Sequence, residues 1–310
     1  MSISSASGDE AATTLSPPEL DLARPDAELR PTCLSGLSSL SPCFSIVNHG
    51  CEAKLRALAR AMQRRIERRD GARVQQQAHE FADHDELAPA AAEVRSCLRS
   101  ICLRVLSIAS AGMAEALRER ELDVAGRLCL REYPKLPEEA AAPGSAPPQQ
   151  PAEPPPAEEV PPPPRLGAHC DSTLMTLLWA DAPGLQVLEP RRAEALGWRP
   201  QHVLGLGLPM MAPLADDADD DGEGGAAAPD PPPLKNEHWA YVEHDWARDP
   251  LLLTVGASWL SHELVRERCP ARCAALHRVV LPPGVTQRHS LPYLADFVDL
   301  PLERDRAEAC

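Results

Sequence analysis

Apolar residues recur along this chain with two different periods, and the change of period divides it. Over Glu52–Arg69, the residues Leu55, Leu58, Ala59, Met62 and Ile66 repeat at three- and four-residue spacing, which predicts an amphipathic helix. A second stripe of the same kind, Leu98, Ile101, Cys102, Val105, Ile108 and Met113, predicts one helix over about Ala90–Arg120. Short extended segments flank these helices: Pro17–Ala23, Phe44–Val47 closed by the turn Asn48-His49-Gly50, and Leu128–Tyr133. From Leu166 onward the pattern becomes short apolar runs punctuated by turns. Strands are expected at Thr173–Leu178, Leu185–Leu188, Trp239–Val242, Leu251–Val255, Ala275–Leu281 and His289–Leu294. Many short strands after two helices predict a mainly β fold with α: an antiparallel sandwich or barrel, with helices from the N-terminal half packed on it.

Two stretches carry no apolar periodicity. Twelve of the 34 prolines lie between Pro137 and Pro164, so residues 137–165 read as a semi-extended insert. Residues 213–237 hold the acid run Asp216, Asp217, Asp219, Asp220, Asp221 and Glu223, a solvated loop; it lacks the Glu that a calcium loop needs at its twelfth position. The organisation expected is therefore a disordered start (1–16), an N-terminal strand and helix region (17–136), the Pro-rich insert, a β core (166–300) interrupted by the acidic insert, and a tail (301–310). A formal net charge of −15 argues against a general nucleic-acid binder, because phosphate attraction needs a basic field. Arg64, Arg65, Arg68 and Arg69 read as the solvated side of the first helix. No apolar run approaches the roughly 18 residues of a membrane span. No secretory leader precedes the ten cysteines, so free thiols and a cytoplasmic location are expected.

His169-Cys170-Asp171 is the first candidate for chemistry. Residues two apart on an extended segment project to one side, so an imidazole and a carboxylate converge. Alone the pair means little: ten histidines among 46 acids produce one or two by chance, and His84-Asp85-Glu86 is such a decoy. Another constellation, Cys269, Cys273 and His277 at four-residue spacing with His262 nearby, has zinc-like composition; Pro270 disfavours the helix it would need, and buried thiols explain the cysteines more simply.

Order along the chain is more telling. Arg165–Asp171 (RLGAHCD) is followed by Met175–Leu178 (MTLL), Gly184–Val187 (GLQV), His277–Val280 (HRVV) and Arg288–Tyr293 (RHSLPY). With Pro17–Ala23 (PPELDLA) and Cys43–Gly50 (CFSIVNHG) ahead of them, this series resembles the plant-type iron(II)/2-oxoglutarate-dependent dioxygenases, the group that includes isopenicillin N synthase. The resemblance covers about residues 17–300 apart from the two inserts.

It implies a double-stranded β-helix (jelly roll) core with N-terminal helices outside. It also implies oxidative decarboxylation of 2-oxoglutarate to succinate and CO2, coupled to hydroxylation or desaturation of a small organic substrate. His169, Asp171 and His277 would hold Fe(II), leaving three coordination positions for 2-oxoglutarate and O2; ascorbate would be an auxiliary reductant. Arg288 would grip the distal carboxylate of 2-oxoglutarate, with Ser290 and Tyr133 beside it. The chain departs from the family pattern in three places. Arg131 stands where the family's NxYP segment has Asn, Thr254-Val255-Gly256-Ala257 replaces its NIGD segment, and the stretch from Gly256 to His277 is longer. Two alternatives remain open: an oxidase of the isopenicillin N synthase type that uses no 2-oxoglutarate, and a non-catalytic interaction protein. His49 reads as a turn residue, and Trp179 and Trp259 as core.

Overall fold

The computed structural model describes residues 14–68, 78–80, 87–133, 164–195, 234–243, 248, 251–285 and 287–300. Most of the Pro-rich insert (137–163), most of the acidic insert, His84-Asp85-Glu86, residues 1–13 and the tail lie outside these. In chain order the elements are β1 (Thr14–Leu15), β2 (Glu19–Asp21), α1 (Asp26–Leu37), β3 (Cys43–Val47), α2 (Glu52–Arg68), β4 (Ala78–Glu80), α3 (Ala88–Ala109), α4 (Met113–Glu119) and β5 (Leu122–Tyr133). There follow β6 (Leu166–His169), β7 (Met175–Ala180), β8 (Leu185–Leu188), the helix Pro190–Ala195, β9 (Trp239–Val242) and β10 (Leu251–Val255). The short helices Ala257–Ser261 and Glu263–Arg268 lead to β11 (His277–Val279) and β12 (Arg288–Asp299).

Two sheets face each other. The larger runs β2-β3-β10-β7-β12-β5-β4, the smaller β1-β9-β8-β11-β6. Apart from the adjacent pair β8 and β9, strands β5 to β12 alternate between the sheets with antiparallel neighbours, which makes a double-stranded β-helix. Side-chain alternation along β12 shows how the layers form. Leu291, Tyr293 and Ala295 join the apolar layer that also holds Leu98, Ile101, Cys102 and Val105 of α3. Arg288, Ser290, Pro292 and Leu294, on the opposite side, line a cavity between the sheets. Trp179 and Trp259 belong to the helix-side layer, as expected of core residues.

Several elements differ from the expectation. The single helix expected over Ala90–Arg120 is two, α3 and α4, bent by 111°. Ser110 is extended and Gly112 takes φ +82°, a left-handed conformation that suits glycine and breaks the helical ladder while the apolar stripe continues. Among the described residues no single helix is long and apolar enough to cross a membrane. α1 gives no periodic signal, since it contains Pro31 and Gly36; Gly36 lies so close to the Phe44 ring that a Cβ there would collide. β5 and β12 extend well past the segments predicted, because they pair with each other from Arg288↔Tyr133 to Asp299↔Leu122. Thr14 and Leu15, placed in the disordered start, pair with Tyr241 and Val242.

Candidate metal and cosubstrate site

β6 ends on His169 and β11 begins on His277, and these two residues are directly opposite in the antiparallel register. The imidazole centroids are 4.3 Å apart. Asp171, two residues beyond His169, turns back toward both: its Oδ1 is 3.7 Å from His169 Nε2 and its Oδ2 is 3.9 Å from His277 Nε2. One ligand atom from each of the three lies within 4.8 Å of the others. Intervening Cys170 joins a different apolar cluster, and burial pushes its thiol up to about 12, so it does not compete as a ligand.

Neighbouring groups fix how the three are presented. His169 Nδ1 donates to Gly167 O at 2.8 Å, and His277 Nδ1 donates to Ala275 O at 2.9 Å. A carbonyl can only accept, so each ring is protonated on Nδ1 and offers the Nε2 lone pair. Thr176 Oγ1 donates to Asp171 Oδ2 at 2.6 Å. Burial, then the neighbouring His277, pulls the His169 pKa down. Burial pushes Asp171 up, but His277, the Thr176 hydrogen bond and His169 outweigh it and hold the carboxyl below its ordinary range. Two imidazoles presenting Nε2 and one carboxylate are the donor set that iron(II) takes as a facial triad.

The loop carrying Asp171 is clamped by Gly256 and the helix after it. Gly256 N donates to Leu174 O at 3.0 Å, Ala257 N to Asp171 O at 2.8 Å, and Ser258 Oγ to Ser172 O at 2.9 Å. A Cβ on Gly256 would overlap the Thr173 carbonyl, which is backbone and cannot swing away. Gly256→Ala is therefore expected to cost about 1–3 kcal/mol, as overpacking usually does, and to weaken metal binding through the shifted Asp171. Thermal melting with and without Mn(II) checks this; an unchanged melting temperature would show that the clamp has slack.

Arg288, which lines a cavity together with Asp171 and His277, is 1 % exposed. Its Nε donates to Ala182 O at 3.0 Å, and its guanidinium carbon lies 5.3 Å from the centroid of the Tyr133 ring. Burial pulls the guanidinium pKa down, and Tyr133 and Asp181 partly offset this. Arg288 Nη1 and Ser290 Oγ are both buried with no hydrogen-bond partner. Native interiors rarely leave such groups unpaired, and a buried cation still less. Arg288 and Ser290 stand opposite Tyr133 and Arg131 in the β12–β5 register. The cavity that all four line, with Asp171, Thr176 and His277, encloses about 410 Å³, part of it open to solvent. Two orphaned donors facing an anion-sized space fit a carboxylate.

No family model matches the sequence, and no curated protein matches it. Solved structures do match. JOX2, crystallised with 2OG, Fe and JA, superposes with a TM-score of 0.54 at 14% identity, covering 95% of this chain and 79% of that one. A full-length Neurospora crassa protein in complex with alpha-KG gives 0.53 at 13% identity, covering 93% and 86%. Dioxygenase for auxin oxidation 1 from Arabidopsis thaliana, with 2-oxoglutarate, gives 0.51 at 13%, covering 92% and 93%. The fold is that of the 2-oxoglutarate/iron(II) oxygenases.

Within this oxygenase fold the residues singled out from sequence fall together: Asp171, His277, Arg288, Ser290 and Tyr133 line one cavity, and His169 gathers with Asp171 and His277. The zinc-like constellation does not form. Cys273 Sγ donates to Leu40 O at 2.9 Å, Cys269 packs in the helix-side layer, and burial pushes both thiols up to about 12. Sequence reasoning passed over Thr176 and the pair Asp181–His289. His289 N donates to Asp181 Oδ1 at 2.7 Å, and His289 Nδ1 meets Asp181 Oδ2 at 2.8 Å. This clasp holds the turn whose Ala182 carbonyl orients Arg288. An acid facing a histidine 108 residues away leaves no trace in local pattern.

Proposed function

We propose that the chain is an iron(II)- and 2-oxoglutarate-dependent dioxygenase that hydroxylates or desaturates a small organic substrate, releasing succinate and CO2. The observation that carries this reading is the buried, unpartnered Arg288 Nη1 and Ser290 Oγ in one cavity with three convergent ligand atoms. Structural neighbours crystallised with 2OG or alpha-KG support it.

His169 Nε2, Asp171 and His277 Nε2 would hold the metal, and the Nδ1–carbonyl bonds keep both rings aimed. Iron(II) bound there supplies the redox chemistry with O2 that decarboxylates 2-oxoglutarate and oxidises a substrate C–H bond. Arg288 presents a planar two-pronged donor to the distal carboxylate, and Ser290 adds a hydroxyl. Leu178, Leu185, Val279 and Leu294 give the cavity an apolar wall, which strengthens the charge interactions made beside it.

Purified protein given Fe(II), ascorbate and 2-oxoglutarate labelled at C1 is expected to release labelled CO2, and the His169→Ala variant to release none above background. Absence of release from iron-loaded wild type, with iron binding intact, would replace this reading by the 2-oxoglutarate-independent oxidase.

A further inference from the structure

We propose that Arg131 is a second anion-recognition group of the cavity, and that the organic substrate is accordingly a small carboxylic acid with an apolar body. This rests on the dioxygenase reading above and narrows its substrate class.

Arg131 and Tyr133 are two apart on β5, so both side chains face inward, and both line the cavity. In the sheet Arg131 is paired with Ser290, one step from the Arg288–Tyr133 pair. Arg131 lies close enough for its charge to act on His169, Asp171 and Arg288. Among the described residues no carboxylate forms an ion pair with it, and no side chain or carbonyl accepts a hydrogen bond from it.

Formal charge then decides what it is for. Asp181, whose charge reaches Arg288, is engaged by His289; iron(II) with the Asp171 carboxylate leaves one positive charge, and Arg288 adds another. 2-Oxoglutarate brings two negative charges and cancels both. Arg131 remains, a cation in a cavity walled by Leu178, Pro292 and Leu294. Arg131 is half-buried beside this apolar wall, and a carboxylate entering the cavity gains a charge-assisted contact with it. The resembling family has a neutral Asn at this place in its NxYP segment, so the extra charge is a property of this chain. A neutral substrate would leave Arg131 without a counter-ion; an acid with a hydrocarbon body would satisfy both the cation and the apolar wall. The planar guanidinium suits a carboxylate in two-pronged contact.

The rival use of Arg131 is a second grip on 2-oxoglutarate itself, and calorimetry separates the two. Wild type and the Arg131→Gln variant are loaded anaerobically with Mn(II) and 2-oxoglutarate, then titrated with hexanoate, phenylacetate and 3-phenylpropionate, each against its primary amide. In wild type at least one acid is expected to bind about tenfold or more tighter than its amide. Arg131→Gln is expected to abolish that preference while holding the 2-oxoglutarate dissociation constant within about threefold. Equal binding of acids and amides by wild type, binding of neither, or a preference that survives in Arg131→Gln overturns the proposal. A large loss of 2-oxoglutarate affinity in that variant also overturns it and assigns Arg131 to the cosubstrate. Wild type that takes up neither Mn(II) nor 2-oxoglutarate refutes the dioxygenase reading itself, a result distinct from all of these. Thermal melting of Arg131→Gln confirms that the variant is folded before any titration is read.

Discussion

Replacing His169, Asp171 or His277 by Ala is expected to eliminate the binding of one Fe(II) or Mn(II) per chain, as read by calorimetry under anaerobic conditions. Each contributes one of the three ligand atoms gathered within 4.8 Å. Removing a ligand leaves two protein donors, too few to compete with water for a six-coordinate ion of modest intrinsic affinity. The loss should exceed the roughly 10–100-fold that follows when a group merely hydrogen-bonded to a ligand is replaced. Thr176→Val gives that smaller effect for comparison, because Thr176 only orients Asp171 through its 2.6 Å hydrogen bond. Asp171→Asn separates charge from shape: the amide keeps the volume and offers one neutral oxygen, so metal binding should fall nearly as far as with Ala. The fold should survive these changes, since the site lies between the sheets and away from the larger layer that packs on α3. Wild type that binds neither metal, or a triad variant that binds it as tightly, would defeat the assignment.

The jelly-roll half was legible because its strands are short, almost wholly buried apolar runs bounded by turn residues, so run length and turn chemistry agree. β8, β9 and β10 begin and end where those patterns do. His169, Asp171 and His277 were legible through their motifs rather than their spacing, since 108 residues of chain separate His277 from His169, which it meets directly across β6 and β11. What escaped follows from tertiary context. α1 forms around Pro31 and Gly36 because Leu29, Cys33 and Leu37 bury against the core, a gain that outweighs poor local propensity. The α3–α4 break is hidden because the apolar stripe runs straight through it. Gly256 and the Asp181–His289 clasp act on the site through backbone carbonyls and long-range partners, and Thr176 acts through a side-chain bond across the turn after Asp171, none of which hydrophobic patterning encodes.

Arg288→Ala is expected to raise the 2-oxoglutarate dissociation constant by about 30- to several-thousand-fold while metal binding persists. That range corresponds to about 2–5 kcal/mol for truncating one partner of a buried charge-assisted pair. Arg288 is 1 % exposed, so solvent cannot substitute for it. Its Nε is already committed to Ala182 O, which leaves Nη1, without a protein partner, for the ligand. Arg288→Lys should recover only part of the affinity. An ammonium keeps the charge but cannot donate to Ala182 O and to two carboxylate oxygens in one plane. Ser290→Ala should lose less, about 1.5–3 kcal/mol for one hydrogen bond to a charged group. Thermal melting supplies an independent readout with its own sign. Without ligand, Arg288 is a buried cation that forms no ion pair among the described residues and is only partly offset by Asp181, so Arg288→Ala should leave the melting temperature of the metal-loaded protein unchanged or slightly raised. Added 2-oxoglutarate should raise the melting temperature of wild type, because a ligand bound only by the folded state stabilises it, and should do little for the variant. Should Arg288→Ala retain wild-type affinity, or should 2-oxoglutarate fail to stabilise wild type at all, the two orphaned donors serve some other anion. The triad would then belong to an oxidase that works without this cosubstrate.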